Sequence, residues 1–311
     1  MQKAALLYNP LSGRRRERRL VDVEAAAAAL RSAGVEVSAT ATRGASDALE
    51  QARKAVAEGC DTIFACGGDG TVHDVVQGMA GSSASLGIIP LGTANALAHD
   101  LGWPLHPAGA ARAALSARPR RIALGEITYR DFSAAPAKRY FVAAAGAGVD
   151  AHLFYELSPL AKRSMGMLSY YAKATHLWLT HKMENFSVEF EAPGGSKARY
   201  EDVSQLLAVR IRNFGGVLQE LAPGADLGRD HLRLVLFRTR SRLAYLRFVT
   251  RCFLRGQGNV RGIELADSVG VACESTQNSR IFVEADGELL GTLPAQISVV
   301  PNALTLLAPA R

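Results

Sequence analysis

Three glycines surround one aspartate in the segment Gly67-Gly68-Asp69-Gly70-Thr71, which follows an apolar run and precedes a helical one. Glycine lets the backbone turn with positive φ and lets a phosphate approach the backbone amides closely. The amides and the dipole of the following helix favour an anion at the same place. A carboxylate would repel phosphate unless it binds a cation or orients a hydroxyl or water, so Asp69 marks this loop as a candidate site. The alternative is a tight strand-to-helix turn capped by Asp69 and Thr71.

Two further polar loops contain glycine and follow apolar runs: Asn9-Pro10-Leu11-Ser12-Gly13 and Pro90-Leu91-Gly92-Thr93-Ala94-Asn95. If the strands before them are parallel, all three loops lie at one edge of the sheet, where open α/β folds bind ligands. Hydroxyls, amides and guanidinium groups are suitable partners for phosphate oxygens. The residues that could offer them are Ser12, Gly13, Arg14, Thr93 and Asn95. Thr93 and Asn95 could instead cap the helix that follows them.

The three loops lie in a first region, residues 1–120, in which strand and helix patterns alternate. Strands are expected at residues 4–8, 35–40, 62–66 and 86–89, and helices up to residue 30, over 46–58, over 72–79 and from 95. This alternation predicts an α/β domain whose parallel sheet is covered by helices. The strands are apolar throughout, which is typical of strands with both faces covered.

The alternation of strand and helix patterns ends near residue 120, where we expect the domain boundary. Short apolar runs predict strands at residues 121–128, 140–145, 186–191, 205–211, 232–237, 269–273, 281–284, 297–300 and 304–307. Helical patterns cover residues 157–182 and 242–255. Many short strands separated by Gly/Pro turns predict a β-rich sandwich for residues 121–311.

The composition places limits on the class of protein. The chain has 311 residues, of which 48% are hydrophobic and 21% charged, and these values are typical of a folded globular protein. No apolar run approaches the roughly 20 residues of a membrane span, and the N-terminus is too short for a signal peptide, so we expect a cytoplasmic protein. Four cysteines without C-x-x-C spacing indicate neither zinc nor disulfides. The net charge of +7 favours an anionic partner.

The chain resembles the diacylglycerol kinase catalytic-domain superfamily, which includes bacterial lipid kinases, sphingosine kinases and ceramide kinases. Five matching motifs run over essentially the whole chain: Asn9-Pro10-x-Ser12-Gly13, Thr42 in Thr42-Arg43-Gly44-Ala45-Ser46-Asp47-Ala48, the loops 67–71 and 90–95, and Asp286-Gly287-Glu288. The loop 67–71 is shared with NAD kinases and relatives of phosphofructokinase. The loop 90–95 is more discriminating and points to lipid kinases.

The resemblance implies a nucleotide-binding α/β domain, a β-sandwich domain and an active site in the cleft between them. It places ATP and Mg²⁺ near Asn9, Ser12, Gly13, Arg14, Thr42, Gly67, Gly68, Asp69, Gly70, Thr71, Thr93 and Asn95. The acceptor lipid would enter from the second domain, where Asp286 or Glu288 takes the proton of the acceptor hydroxyl. We expect Glu288 to be this base, with Asp286 and Asp69 as further catalytic residues. The expected function is therefore an ATP-dependent lipid kinase, and the choice of lipid stays open.

Two residues depart from the family pattern. Arg229 stands where bacterial relatives carry an acid that helps to hold a structural Mg²⁺, and Asp226 or Asp230 could substitute as metal ligands. Ala123 stands where some relatives carry an aspartate of the active-site network. These departures keep open a nucleotide-binding regulator that has lost catalysis. A kinase for a soluble substrate, of the NAD kinase type, is the other alternative.

A basic helical pattern suggests a membrane partner. On a helix, one face would carry Arg240, Arg247, Arg251 and Arg255, and the opposite face would carry Leu246, Val249 and Phe253. Such a helix fits an anionic membrane surface, and a solvated face over the domain core is the equal alternative. A nucleic acid is not expected, because basic and aromatic residues do not alternate. The protein would then be peripheral at the inner face of the membrane.

Overall fold

A computed structural model describes residues 1–13, 16–44, 46–149, 183–215, 220–254, 259–275 and 280–309. The helical stretch predicted over 157–182, together with Arg14 and Arg255, lies outside the described residues. The chain forms two compact units. The first contains residues 1–124, 211–219 and 300–311, and the second contains residues 125–210 and 220–299. A single boundary near residue 120 therefore does not describe the division, because two later segments of the chain return to the first unit.

The sheet of the first unit is parallel, as predicted. Its strands are β1 (Lys3–Tyr8), β2 (Glu36–Ala41), β3 (Thr62–Gly67) and β4 (Ser85–Pro90), in the order β2-β1-β3-β4. The end of β15 (Glu288–Ala308) adds the next parallel strand, with Thr305 opposite Ser85 of β4. Every residue of β3 and β4 is buried. β2 is mostly exposed, and among the described strands it pairs with β1 alone, so the expectation that all strands are covered is wrong for β2.

Helices connect these strands. They are α1 (Arg19–Arg31), preceded by a 3-10 turn (Arg16–Arg18), α2 (Asp47–Ala57), α3 (Asp69–Met79), α4 (Ala96–Asp100) and α5 (Pro107–Ser116). α3 begins three residues earlier than predicted, so the glycine loop itself forms its first turn. α5 was not predicted, although Pro107 at its first turn and its buried alanines favour a helix.

The second unit is β-rich, as predicted. After β5 (Arg118–Arg130), which begins in the first unit, come β6 (Pro136–Phe141), β7 (Ala144–Gly148), β8 (Phe186–Glu191), β9 (Lys197–Val203), β10 (Gln205–Val209), β11 (Leu232–Phe237), β12 (Ile263–Ser268), β13 (Gly270–Ser275) and β14 (Phe282–Ala285). One row of strands has the order β12-β11-β10-β7-β14-β15. A second row, β13-β8-β9, joins it at β15. Side chains of both rows meet in one buried cluster that includes Phe186, Leu206, Leu234, Val283 and Ile297.

α6 (Arg242–Leu254) packs on the second unit through aromatic contacts. The ring of Phe237 stacks on Tyr245 at 4.4 Å and meets Phe248 edge-on at 5.1 Å. These contacts fix which face is buried, and it is not the predicted one: Leu246 and Val249 are 52% and 38% exposed. Among the described helices, none is both long and apolar enough to cross a membrane.

Candidate active site

The loops after β1, β3 and β4 are bonded to one another at the carboxyl edge of the parallel sheet. The amide of Asn9 donates to the carbonyl of Cys66 at 3.3 Å, and the amide of Leu91 donates to the carbonyl of Gly67 at 2.8 Å. The first contact joins the loop after β1 to the end of β3, and the second joins the end of β3 to the loop after β4. The three predicted phosphate loops therefore form one continuous backbone surface.

Two glycines allow this close approach. A Cβ atom on Gly92 would lie 2.3 Å from the Cα atom of Gly68, which is closer than two non-bonded carbon atoms can come. Gly13 has φ of +68°, and a Cβ atom there would lie 2.3 Å from the carbonyl oxygen of Leu91. The loops can therefore touch only because these positions lack a side chain.

The carboxylate of Asp69 holds the third loop. Its Oδ2 accepts a hydrogen bond from the amide of Asn95 at 3.0 Å, and its Oδ1 accepts one from the amide of Ala96 at 2.7 Å. Asn95 has a left-handed backbone, and its own side-chain oxygen accepts a hydrogen bond from the amide of Gly92 at 2.9 Å. Asp69 thus satisfies amides at the start of α4, which is the role of a helix cap supplied from another loop.

The other residues predicted to bind the nucleotide differ in exposure. Asn9 uses its side-chain oxygen to accept a hydrogen bond from the amide of Leu11 at 2.8 Å, which shapes the first loop. Thr42 is buried and its amide donates to the carbonyl of Tyr8 at 2.8 Å, so it lies beside the end of β1. Thr71 is buried against Gly67, whereas Thr93 is exposed. Ser12 and Gly70 are partly buried.

Sequence reasoning missed Arg19, the first residue of α1. Its side chain is 4% exposed, and its Nη2 donates to the carbonyl of Ser12. Burial lowers the pKa of this guanidinium, and the neighbouring Asp22 raises it. Arg19 stands in a cluster of arginines, and it continues the buried spacing of Val23, Ala26 and Leu30 along α1. That helical periodicity was the signal that could have identified it.

In the second unit, Asp286 and Gly287 form the turn between β14 and β15. Their φ angles are +49° and +81°, as in the tight hairpin turns that favour Asp-Gly. The carboxylate of Asp286 accepts hydrogen bonds from three consecutive amides: Val142 at 2.9 Å, Ala143 at 2.8 Å and Ala144 at 3.1 Å. This aspartate therefore fixes the turn between β6 and β7 to the turn between β14 and β15.

Glu288 is the first residue of β15 and is exposed. Because a turn separates it from Asp286, the two carboxylates do not share a strand face. Glu284 lies on the other side of the turn, is 4% exposed and accepts a hydrogen bond from the amide of Gly287 at 2.9 Å. Glu284 was not predicted, although a carboxylate in an apolar run directly before Asp-Gly-Glu was visible in the sequence. Of the three acids, Glu288 is the most exposed, Asp286 is partly buried and Glu284 is buried.

The predicted metal ligands lie in the loop before β11. Oδ1 of Asp226 accepts a hydrogen bond from the amide of Gly228 at 2.7 Å, and Asp230 is exposed. Within the described ranges, no cluster of three or more His, Cys, Asp or Glu residues could hold a metal ion. Ala123, in β5, is 2% exposed. A metal site at Asp226 and Asp230 stays a prediction.

Two known domains match the chain. Residues 3–127 match the diacylglycerol kinase catalytic domain, and residues 143–308 match the YegS C-terminal NAD kinase beta sandwich-like domain. The chain belongs to the diacylglycerol kinase family. The three predicted phosphate loops lie within the first match and the Asp-Gly-Glu turn within the second.

Full-length relatives agree with this membership, and solved structures share the fold. A diacylglycerol kinase of Bacillus subtilis (strain 168) is 28% identical over 300 residues, which cover 95% of this chain and 93% of the relative. One of Staphylococcus aureus (strain MRSA252) is 26% identical over 310 residues, covering 99% and 93%. The crystal structure of a diacylglycerol kinase from Bacillus anthracis str. Sterne has a TM-score of 0.70 at 20% identity, covering 99% and 97%. Yeast NADH kinase has a TM-score of 0.50 at 10% identity, covering 99% and 84%. Membership in this family supports a kinase activity for the chain.

Proposed function

We propose that this protein transfers the γ-phosphoryl group of ATP to a hydroxyl of a membrane lipid, such as diacylglycerol or a sphingoid base. The observation that carries the proposal is the set of three bonded loops around Asp69 in a chain whose curated relatives are named diacylglycerol kinase. The choice of a lipid over a soluble acceptor rests on those relatives and on the motif at residues 90–95.

The first unit would bind the nucleotide. α3 begins at Asp69, and its N-cap residue Gly68 has no side chain to cap the first turn, so its amides and dipole can meet a phosphate. The buried guanidinium of Arg19 adds positive charge behind the first loop. Mg²⁺ bound with ATP would neutralise phosphate charge, and carboxylates near the loops, above all Asp69, are suited to hold it directly or through water.

The second unit would supply the base. The Glu288 carboxylate would accept the proton of the acceptor hydroxyl while the hydroxyl oxygen bonds to the γ-phosphorus. The bond between that phosphorus and the β–γ bridging oxygen breaks, and ADP leaves. Asp286 would keep the turn that presents Glu288 in place.

A label-transfer assay tests the proposal. The protein is incubated with [γ-³²P]ATP and Mg²⁺, and diacylglycerol, sphingosine, extracted bacterial lipids and NAD⁺ are offered separately. A labelled lipid is expected, and the label should disappear in Glu288→Gln, which leaves the loops around Asp69 unchanged. Label on NAD⁺ alone would show a kinase of the NAD kinase type. ATP binding without transfer to any acceptor would show a regulator.

We also propose that α6 lies against an anionic membrane. Its outer face combines exposed Leu243 and Leu246 with exposed Arg247, and Arg240 precedes the helix. Arginines attract anionic head groups, and leucines on the same face can enter the head-group boundary. Arg251 is half-buried on this helix, so we expect Arg240 and Arg247 to make the main contribution to membrane binding.

Sedimentation with lipid vesicles tests this surface. Binding is expected to vesicles that contain phosphatidylglycerol and not to phosphatidylcholine alone. Replacing Arg240 and Arg247 by glutamine should weaken partitioning by about 30-fold, since each arginine contributes about 1 kcal/mol near an anionic surface. The control is Leu105→Gln with Leu115→Gln, which removes two exposed leucines of the first unit. Equal binding by the arginine variant and the wild type would exclude α6.

A further inference from the structure

Arg210 is a charged side chain in the interior of the second unit. It follows β10 directly, its relative exposure is 0%, and its neighbours Val209 and Ile211 are buried as well. Its amide donates to the carbonyl of Ala143 at 2.8 Å, which continues the pairing between β10 and β7. Burying a charge is costly unless polar groups solvate it, so protein groups around Arg210 must accept hydrogen bonds that water would otherwise accept.

Two backbone carbonyls of the loop 226–230 accept hydrogen bonds from this guanidinium. Nη2 of Arg210 donates to the carbonyl of Leu227 at 3.3 Å and to that of Arg229 at 3.2 Å. Burial lowers the pKa of Arg210 to about 10, while the Asp230 carboxylate raises it, so the group is cationic at neutral pH. Carbonyl oxygens that converge on one positive charge are also the ligands that hard metal cations prefer.

We propose that the guanidinium of Arg210 is the resident cation of the loop 226–230 and that no divalent metal binds there. A potential metal-ligating oxygen of the loop is already engaged, because Oδ1 of Asp226 accepts a hydrogen bond from the Gly228 amide. The exposed guanidinium of Arg229 adds a second positive charge to the loop, and like charges would repel a metal ion. The proposal replaces the predicted metal site at Asp226 and Asp230, and it does not depend on the proposed lipid substrate.

This internal cation borders the Asp-Gly-Glu turn. Ala143 accepts a hydrogen bond from the amide of Arg210, and the amide of Ala143 donates to the carboxylate of Asp286. The peptide groups of Ala143 therefore connect the strand that carries Arg210 with the turn that carries Asp286. A permanent side-chain cation keeps this region ordered whatever the metal concentration.

The first experiment uses the wild-type protein without nucleotide. Thermal unfolding is measured in EDTA and in excess Mg²⁺ or Ca²⁺, and hydrogen exchange is measured for the amides of Gly228 and Arg229, which both donate within the loop. We expect the same Tm and the same protection of these amides in all three solutions. Protection that increases in proportion to added metal, or one equivalent of metal retained there after dialysis, would overturn the proposal.

The second experiment compares three variants by thermal unfolding in EDTA. Arg210→Met keeps the length of the side chain but leaves both carbonyls without their donor, so Tm should fall by about 5–10 °C. Arg229→Met, the same change at the exposed arginine of the loop, should shift Tm by no more than about 1 °C.

Arg210→Lys separates charge from packing. It keeps a cation and hydrogen-bond donors, so it should recover roughly half of the lost Tm. A lysine variant no more stable than the methionine variant would show that packing alone explains Arg210, and an unchanged Tm in Arg210→Met would overturn the proposal directly. Should Arg210→Met fail to fold, the lysine variant and the wild-type chelation experiment still decide the question.

Discussion

Asp69 in the first unit and Asp286 in the second use their carboxylates in the same way. Each accepts hydrogen bonds from consecutive backbone amides of a loop distant in sequence: residues 95–96 for Asp69 and residues 142–144 for Asp286. Both were predicted to be catalytic from their motifs. In both units the motif aspartate positions a loop, and the proposed proton transfer falls to Glu288, beside the second of these aspartates.

The two aspartates differ in what they hold. Asp69 is the first residue of α3 and holds the start of α4, a helix of only five residues, through two hydrogen bonds. Asp286 has a left-handed backbone and holds a turn between two strands through three. The second attachment is therefore the more rigid, and it fixes the residue next to the turn, Glu288, while leaving its side chain exposed. This difference supports the proposal that Asp286 anchors the turn and that Glu288 takes the proton.

Glu288→Gln is expected to have the largest effect. Loss of the base should lower kcat by about 10²–10⁴-fold, while ATP affinity and Tm stay at wild-type values because the anchoring bonds of Asp286 remain. Steady-state kinetics of lipid phosphorylation and nucleotide titration measure the two quantities. Near-normal turnover here, combined with an inactive Asp286→Asn of normal stability and ATP affinity, would exchange the roles.

Asp286→Ala should instead unfold more easily. Three amides lose their acceptor, so we expect a loss of about 3 kcal/mol in the free energy of unfolding, measured by urea denaturation. Asp286→Asn keeps one side-chain oxygen and should lose about half as much. If both variants are as stable as the wild type, Asp286 is not an anchor.

Asp69→Ala should lose less stability than Asp286→Ala, about 2 kcal/mol, because two hydrogen bonds are lost instead of three. The displaced loop should weaken ATP binding by about tenfold, which isothermal titration can measure. Asp69→Asn is the matched control, since it retains an oxygen for one of the two amides. A stability loss at Asp69 that exceeds the loss at Asp286 would contradict the comparison.

Much of the fold was visible in the sequence because many strands have a clear pattern of apolar residues. β8 and β11 were predicted with their observed bounds, since Phe186–Glu191 alternates apolar and polar residues and Leu232–Phe237 is largely apolar. β9 and β12 were missed. Both are rich in charged or polar residues, and each pairs with one neighbour only among the described strands, so hydrophobicity gave no signal. The two strands predicted near the C-terminus are one strand, β15, which continues through Pro294 and Pro301.

The candidate site was less predictable than its motifs suggest. The glycine loops after β1, β3 and β4 could be placed at one sheet edge from topology alone. The partners of Asp69 and Asp286 could not, because they are backbone amides, which every sequence has. Arg210 lay inside a predicted strand between Val209 and Ile211, and a charge in so apolar a run was the sign of an internal role.

β4 is buried along its whole length, and the parallel neighbour on its outer side comes from residues near 305. A ribosome that has made β1 to β4 must still synthesise roughly two hundred residues before that neighbour exists. During this time the nascent sheet has an apolar strand with an unpaired edge, which is the type of surface on which chains aggregate. The first unit thus finishes folding after the second has been made, although its sequence is translated first.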